Sequence, residues 1–138
     1  MKRTYHGSCH CGAVRFTAEM DLAEGTSRCN CSICTKARFW KAIVRADALR
    51  LLQGEEALTD YRFGGKTIHH LFCRSCGVKP FGRGHIDGFG DFYAVNIACL
   101  DDATDEEIAA AAIQDQDGRN DNWQAPPAIA SQMGASGR

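Results

Sequence analysis

The sequence predicts a mainly β protein, built from small antiparallel sheets with one short helix and organised around three groups of cysteines. Three observations lead there. Residues 13–20 alternate between apolar and polar; two strand-like runs, 58–63 and 66–72, flank Gly64-Gly65; and Cys9/Cys11, Cys29/Cys31/Cys34 and Cys73/Cys76 recur between the strand candidates.

Taken in order, Val14, Phe16, Ala18 and Met20 fall on one side of the first candidate strand and Arg15, Thr17 and Glu19 on the other, a period of two that marks a half-buried strand. Residues 21–26 read as a turn returning the chain to the central cysteines. A single turn over 32–38 would let three sulfurs face one point. Strand candidates follow at 39–44 and 49–52, the latter closed by Gln53-Gly54. Two runs joined at Gly-Gly are a hairpin signal, and this hairpin delivers Cys73 and Cys76 at its end. Residues 78–90, with Gly82, Gly84, Gly88, Gly90 and Pro80, read as an irregular loop over the metal region. Residues 92–100 form the strongest strand candidate, apolar on both faces. Thr104-Asp105-Glu106-Glu107 has capping-box spacing and opens the alanine-rich segment 108–113, the one clear helix signal. The domain is expected to span 1–123, with a flexible Pro/Ala/Gly/Ser-rich tail over 124–138.

At 138 residues the chain is long enough for one domain with its own core. Sixteen basic against 17 acidic residues give no surplus for phosphate binding, which argues against nucleic acid. No apolar run approaches the ~18 residues of a membrane helix, and no secretory signal precedes Cys9. The expected location is the cytoplasm, where thiols stay reduced and clustered cysteines read as metal ligands before disulfides.

Clustered thiolates are soft donors that select zinc or iron–sulfur clusters, and no ferredoxin spacing is present. Two pairings are open. Cys31/Cys34 with Cys73/Cys76 would make one ordinary site of two knuckles, leaving Cys9, Cys11 and Cys29 over. Grouping Cys9, Cys11, Cys73 and Cys76 in one site and Cys29, Cys31 and Cys34 in another uses every clustered cysteine once, and ligand count favours it. Four ligands close a structural zinc site, whereas three leave a position open. Cys99, outside the clusters, reads as a buried free thiol.

The segments Gly7-Ser8-Cys9-His10-Cys11-Gly12-Ala13-Val14-Arg15-Phe16, Cys29-Asn30-Cys31-Ser32-Ile33-Cys34, His70-Leu71-Phe72-Cys73-Arg74-Ser75-Cys76-Gly77 and Val95-Asn96-Ile97-Ala98-Cys99-Leu100-Asp101 resemble the glutathione-dependent formaldehyde-activating enzyme family, which also includes centromere protein V. The resemblance reaches the Asp117-Gly118-Arg119-Asn120 stretch. It implies a β-tent type zinc-binding fold, two zinc ions per chain, a structural zinc on the four cysteines and a catalytic one on the three. It also implies carbon–sulfur lyase activity on a glutathione-type thiol adduct of a small aldehyde such as formaldehyde. Among groups able to move a proton, His70, His69, His10 and Tyr93, the first is favoured because it precedes the knuckle and matches a family position. Arg119, Asn120 and Trp123 are candidate substrate contacts. The competing readings are a non-catalytic zinc-stabilised binding module, with its three-cysteine site closed by another side chain, and a redox sensor that releases zinc on oxidation.

Overall fold

The structure is a computed structural model and describes residues 1–128. Among these the elements are β1 (Arg3–Ser8), β2 (Arg15–Met20), β3 (Thr26–Cys29), α1 (Ser32–Ala37), β4 (Trp40–Arg45), β5 (Leu49–Gln53), β6 (Leu58–Tyr61), β7 (His69–Cys73), β8 (Phe81–Ile86), β9 (Gly90–Asn96), α2 (Asp105–Ala109) and β10 (Ile113–Gln116). They form a three-stranded sheet, β1-β2-β5, and a seven-stranded sheet, β10-β3-β4-β9-β8-β7-β6. Every pairing is antiparallel except that of β10 with β3. The mainly β class is as predicted. No helix among the described residues is long and apolar enough to cross a membrane.

The alternation in β2 does what its period demands: Phe16, Ala18 and Met20 are buried, while Arg15 and Glu19 are exposed. Phe16 meets Phe81 of the large sheet edge to face, ring centroids 5.4 Å apart. Each such ring, fully buried, contributes ~1.5–3 kcal/mol. Leu71, Phe81 and Val95 stand opposite one another across β7, β8 and β9, so they share the face of the large sheet that meets the small one. The next row, His70, Gly82 and Ala94, points the other way. There Phe39, Phe92 and Ala94 build a second apolar cluster with Cys34 and Ile68. The large sheet thus divides the main core from a separate face, and the three clustered cysteines lie over that face.

The predicted capping box forms, with Thr104 Oγ1 accepting from Glu107 N–H and the Glu107 carboxylate accepting from Thr104 N–H. The same carboxylate accepts from Arg3 and from the Tyr5 hydroxyl, tying α2 to β1.

Several expectations give way. Residues 78–90 are not an irregular loop, because Phe81–Ile86 pair with both β7 and β9. The two glycines inside that strand answer crowding: a Cβ on Gly84 would collide with Ile68 and Phe92, and one on Gly82 would lie 3.1 Å from the His69 carbonyl oxygen. The strand expected over 92–100 ends at Asn96, whose side chain accepts from Ala98 N–H and turns 97–99 into a 3₁₀ helix. Among the described residues there are two α-helices rather than one, since the turn expected over 32–38 is the helix α1. The 58–63/66–72 hairpin pairs as predicted, with shorter strands and a turn closed by Lys66 N–H to the Phe63 carbonyl. Of the expected tail, residues 129–138 lie outside the described residues; within 124–128, the Ala125 carbonyl accepts from Asp117 N–H and Pro127 is buried.

Candidate metal centres and active site

Cys9 lies just beyond β1, Cys11 in the turn that follows, Cys73 at the end of β7, and Cys76 in the tight turn after it. Because β1 and β7 belong to different sheets, the group joins the two. The Gly77 N–H donates to the Cys73 carbonyl at 2.7 Å with φ at +79°, a left-handed position suited to glycine. All four Sγ atoms lie within 4.8 Å of one another, with Cys9–Cys11 at 3.7 Å and Cys11–Cys73 at 3.6 Å. Four sulfurs ~2.3 Å from a tetrahedral ion stand about 3.8 Å apart, so the spacing fits a closed thiolate metal site. The backbone amide of Cys76 holds the Cys73 thiol below its ordinary value against the opposing effect of burial. Val14 N–H donates to Cys9 Sγ at 3.3 Å.

Cys29 closes β3, Cys31 caps the N-terminus of α1, and Cys34 lies three residues on, where one helical turn returns it to the same side. Their sulfurs also lie within 4.8 Å of one another, and among the described residues no fourth cysteine, histidine or carboxylate ligand joins them. Cys31 N–H donates to Cys29 Sγ at 3.3 Å. The Cys29 and Cys34 thiols, then the amides of Cys34 and Ile33, hold Cys31 far below its ordinary value, while sharing of protons pushes Cys34 up. Both groups therefore have the donors and spacing for a soft metal ion.

Asn30 fixes the second group to the C-terminal segment. It is fully buried; its Nδ2 donates to Asp117 Oδ1 at 2.8 Å and its Oδ1 accepts from Arg119 N–H at 2.8 Å. Asn120 Nδ2, then Asn30, hold the Asp117 carboxyl below its usual range. Next to it, Gly118 packs so closely on the Cys29 sulfur and the Trp123 ring that a Cβ would be driven into both. Asn30→Ala takes one hydrogen bond from the Asp117 carboxylate, which keeps Asn120, and removes the acceptor of the Arg119 amide, a cost of ~1–3 kcal/mol. Thermal melting should show the loss, and hydrogen exchange at the Arg119 amide should accelerate; a protected Arg119 amide in the variant would remove Asn30 from this role.

Of the predicted substrate contacts, Asn120 spends its amide on Asp117, whereas the Arg119 guanidinium is exposed and makes no hydrogen bond among the described residues. Trp123 is 41% exposed, with Nε1 donating to Asp121.

His70 is buried on the same face as the three cysteines. Burial, then Lys79, push its pKa down, and Cys31 pushes the other way. His69 and Tyr93 project from the opposite face with Arg83, lining a cleft of about 320 Å³, and His69 Nδ1 is paired with Asp60 at 2.6 Å. His10 is exposed beside the four-cysteine group. Cys99 is buried outside both groups, its thiol donating to the Lys79 carbonyl at 3.8 Å, and burial pushes it up to about 12. Sequence reasoning missed Asn30, Asp117, Gly118 and Lys79. The first three sit inside or beside stretches the motifs mark, but Lys79, behind the knuckle, carries no signal of its own.

A protein-family model described as glutathione-dependent formaldehyde-activating enzyme matches residues 4–115. A crystal structure of a Rhodobacter sphaeroides protein, a structural-genomics target, shares 33% identity and aligns with a TM-score of 0.66 over 79% of this chain and 99% of its own. With the match spanning both cysteine groups, the chain belongs to the glutathione-dependent formaldehyde-activating enzyme family.

Proposed function

We propose that the protein is a zinc-dependent carbon–sulfur lyase that makes and breaks the bond between a thiol of the glutathione type and a small aldehyde such as formaldehyde. The observation that carries this reading is the difference between the groups: four thiols where the two sheets meet, and three over the outer face of the large sheet with no fourth ligand among the described residues. Cys9, Cys11, Cys73 and Cys76 would hold a structural zinc; Cys29, Cys31 and Cys34 would hold the second. Bound there, the second ion supplies one thing, a place where a visiting thiol is kept as thiolate near neutral pH.

The rest falls to the chain. In the forward direction a sulfur–carbon bond forms, the carbonyl π bond opens, and the oxygen must gain a proton. His70, on the same face as the thiols, is the group assigned to deliver it, and to take it back in reverse. The turn 117–123 wraps the Cys29 side, where the exposed Arg119 guanidinium can meet a substrate carboxylate and the half-exposed Trp123 ring offers an apolar contact beside Gly118.

The reading is tested on zinc-loaded protein by metal analysis and by NMR exchange between glutathione, formaldehyde and their S-hydroxymethyl adduct. Two zinc per chain with exchange well above the spontaneous rate supports it. Two zinc with only the spontaneous rate would leave the binding module as the better description.

A further inference from the structure

Lys79 is a half-buried charged side chain fixed at both its backbone and its ammonium. Its backbone is fixed first: its carbonyl accepts from Asn96 Nδ2 at 2.9 Å and from the Cys99 thiol. Its stem then crosses Gly82, where a Cβ would lie 3.5 Å from Lys79 Cε. The ammonium ends 4.0 Å from the centroid of the Phe39 ring and 2.8 Å from Nδ1 of His70. That contact is its one hydrogen bond among the described residues.

An ammonium has hydrogens to donate and no lone pair to accept with, so Nδ1 of His70 is the acceptor. A neutral imidazole that accepts at Nδ1 carries its hydrogen on Nε2. The ring is also held in plane: Phe63 stacks on it at 5.3 Å and 23°, and Tyr61 stacks in turn on Phe63 at 5.7 Å. Around the couple stand Cys31 and Cys34 from the β3–α1 segment, Lys41 from β4, Asp60 from β6 and His69 from β7.

Resting on the lyase reading above, we propose that Lys79 and His70 form a proton-delivery couple, in which Nε2 of His70 gives its hydrogen to the adduct oxygen while Lys79 Nζ replaces it at Nδ1. One N–H bond breaks at Nε2 and an O–H bond forms; one N–H bond breaks at Nζ and another forms at Nδ1. The lysine is left as a neutral amine and the imidazole as its other tautomer. A solvent proton entering at Nε2, with the Nδ1 hydrogen returning to Nζ, resets the pair. It balances the proton the thiol releases to solvent on binding. Lys79 acts through the imidazole, so it is a positioning and proton-supplying residue rather than one that touches substrate.

The test combines the ring ¹H–¹⁵N correlation spectrum of His70 in ¹⁵N-labelled, zinc-loaded protein with adduct exchange, each variant being checked for zinc content and circular dichroism. The wild type is expected to show hydrogen on Nε2 and a lone pair on Nδ1. Lys79→Met should spread the hydrogen over both nitrogens and slow exchange ~100-fold. Lys79→Arg keeps a donor but does not surrender its proton, so it should restore the tautomer without restoring the rate. A wild-type hydrogen on Nδ1, an Arg variant with full rate, or a folded Met variant with unchanged tautomer and rate would each overturn the proposal. If the Met variant does not fold, the Arg variant and the wild-type spectrum decide alone. Failure of the lyase reading is separately visible, as a wild type that does not accelerate exchange whatever its tautomer, and it would overturn the delivery step with it.

Discussion

Replacing Cys34 by serine should remove one of two metal equivalents and lower adduct exchange by at least ~100-fold, while the circular dichroism spectrum and the melting midpoint stay near those of the wild type. The metal loss follows from donor chemistry: a serine hydroxyl does not ionise near neutral pH as a thiol beside a metal does, and it is a harder donor. Changing a residue that merely supports a ligand typically costs 10–100-fold in affinity or activity, so loss of a ligand from a set of three should cost no less. The fold survives because Cys34 belongs to the small cluster of Phe39, Phe92 and Ala94 on the outer face of the large sheet, apart from the main core around Phe16 and Phe81. Serine also keeps nearly the volume of cysteine, so no cavity term adds to the cost. A variant retaining both equivalents and full exchange would take the three-cysteine group out of the mechanism.

Why that group could be read from sequence while its setting could not has a physical explanation. Thiol spacing is local: Cys31 and Cys34 converge because one helical turn brings them together, and Cys73 and Cys76 because one tight turn does. The alternation in β2 and the Thr104 capping box are local too, and both appear as their patterns require. What the pattern hides depends on partners distant in the chain. β10 gains its place only by lying parallel to β3, nearly ninety residues earlier, and its residues Ile113–Gln116 show no alternation of burial. β8 looks like a loop because Gly82 and Gly84 are poor strand formers, yet close neighbours on both sides make small residues necessary there. Asn30 looks like a spacer between two cysteines until Asp117 and Arg119 arrive to use its amide. Lys79 was invisible for the same reason: its meaning lies in Nδ1 of a histidine on another segment. Ligand count favours one of the two ways of pairing the cysteines, and it is three-dimensional proximity that joins Cys9 and Cys11 to Cys73 and Cys76.

Cys73→Ser is expected to have the opposite signature from Cys34→Ser: loss of the cooperative melt altogether. Cys73 is fully buried, closes β7, and stands 3.6 Å from Cys11 of the segment that follows β1. On the proposed assignment this site joins the small sheet to the large one, so its metal-binding free energy is folding free energy. Structural zinc sites of this kind contribute ~10–16 kcal/mol in apparent terms, against a net stability of ~5–15 kcal/mol for an ordinary domain. Few of those kilocalories have to be lost for the native state to become a minor one. The serine itself adds a second penalty, because its hydroxyl would sit in a 0%-exposed position in place of a thiolate that the Cys76 and Ser75 amides serve. Chelation of the wild type offers the same contrast without mutation. The three-cysteine site, with one protein ligand fewer, should give up its ion first, ending exchange with the spectrum intact, and unfolding should accompany release of the second equivalent. Simultaneous release of both, or a Cys73→Ser variant that melts like the wild type, would show that the four-cysteine group does not hold the sheets together, and the division into a structural and a reactive site would have to be abandoned.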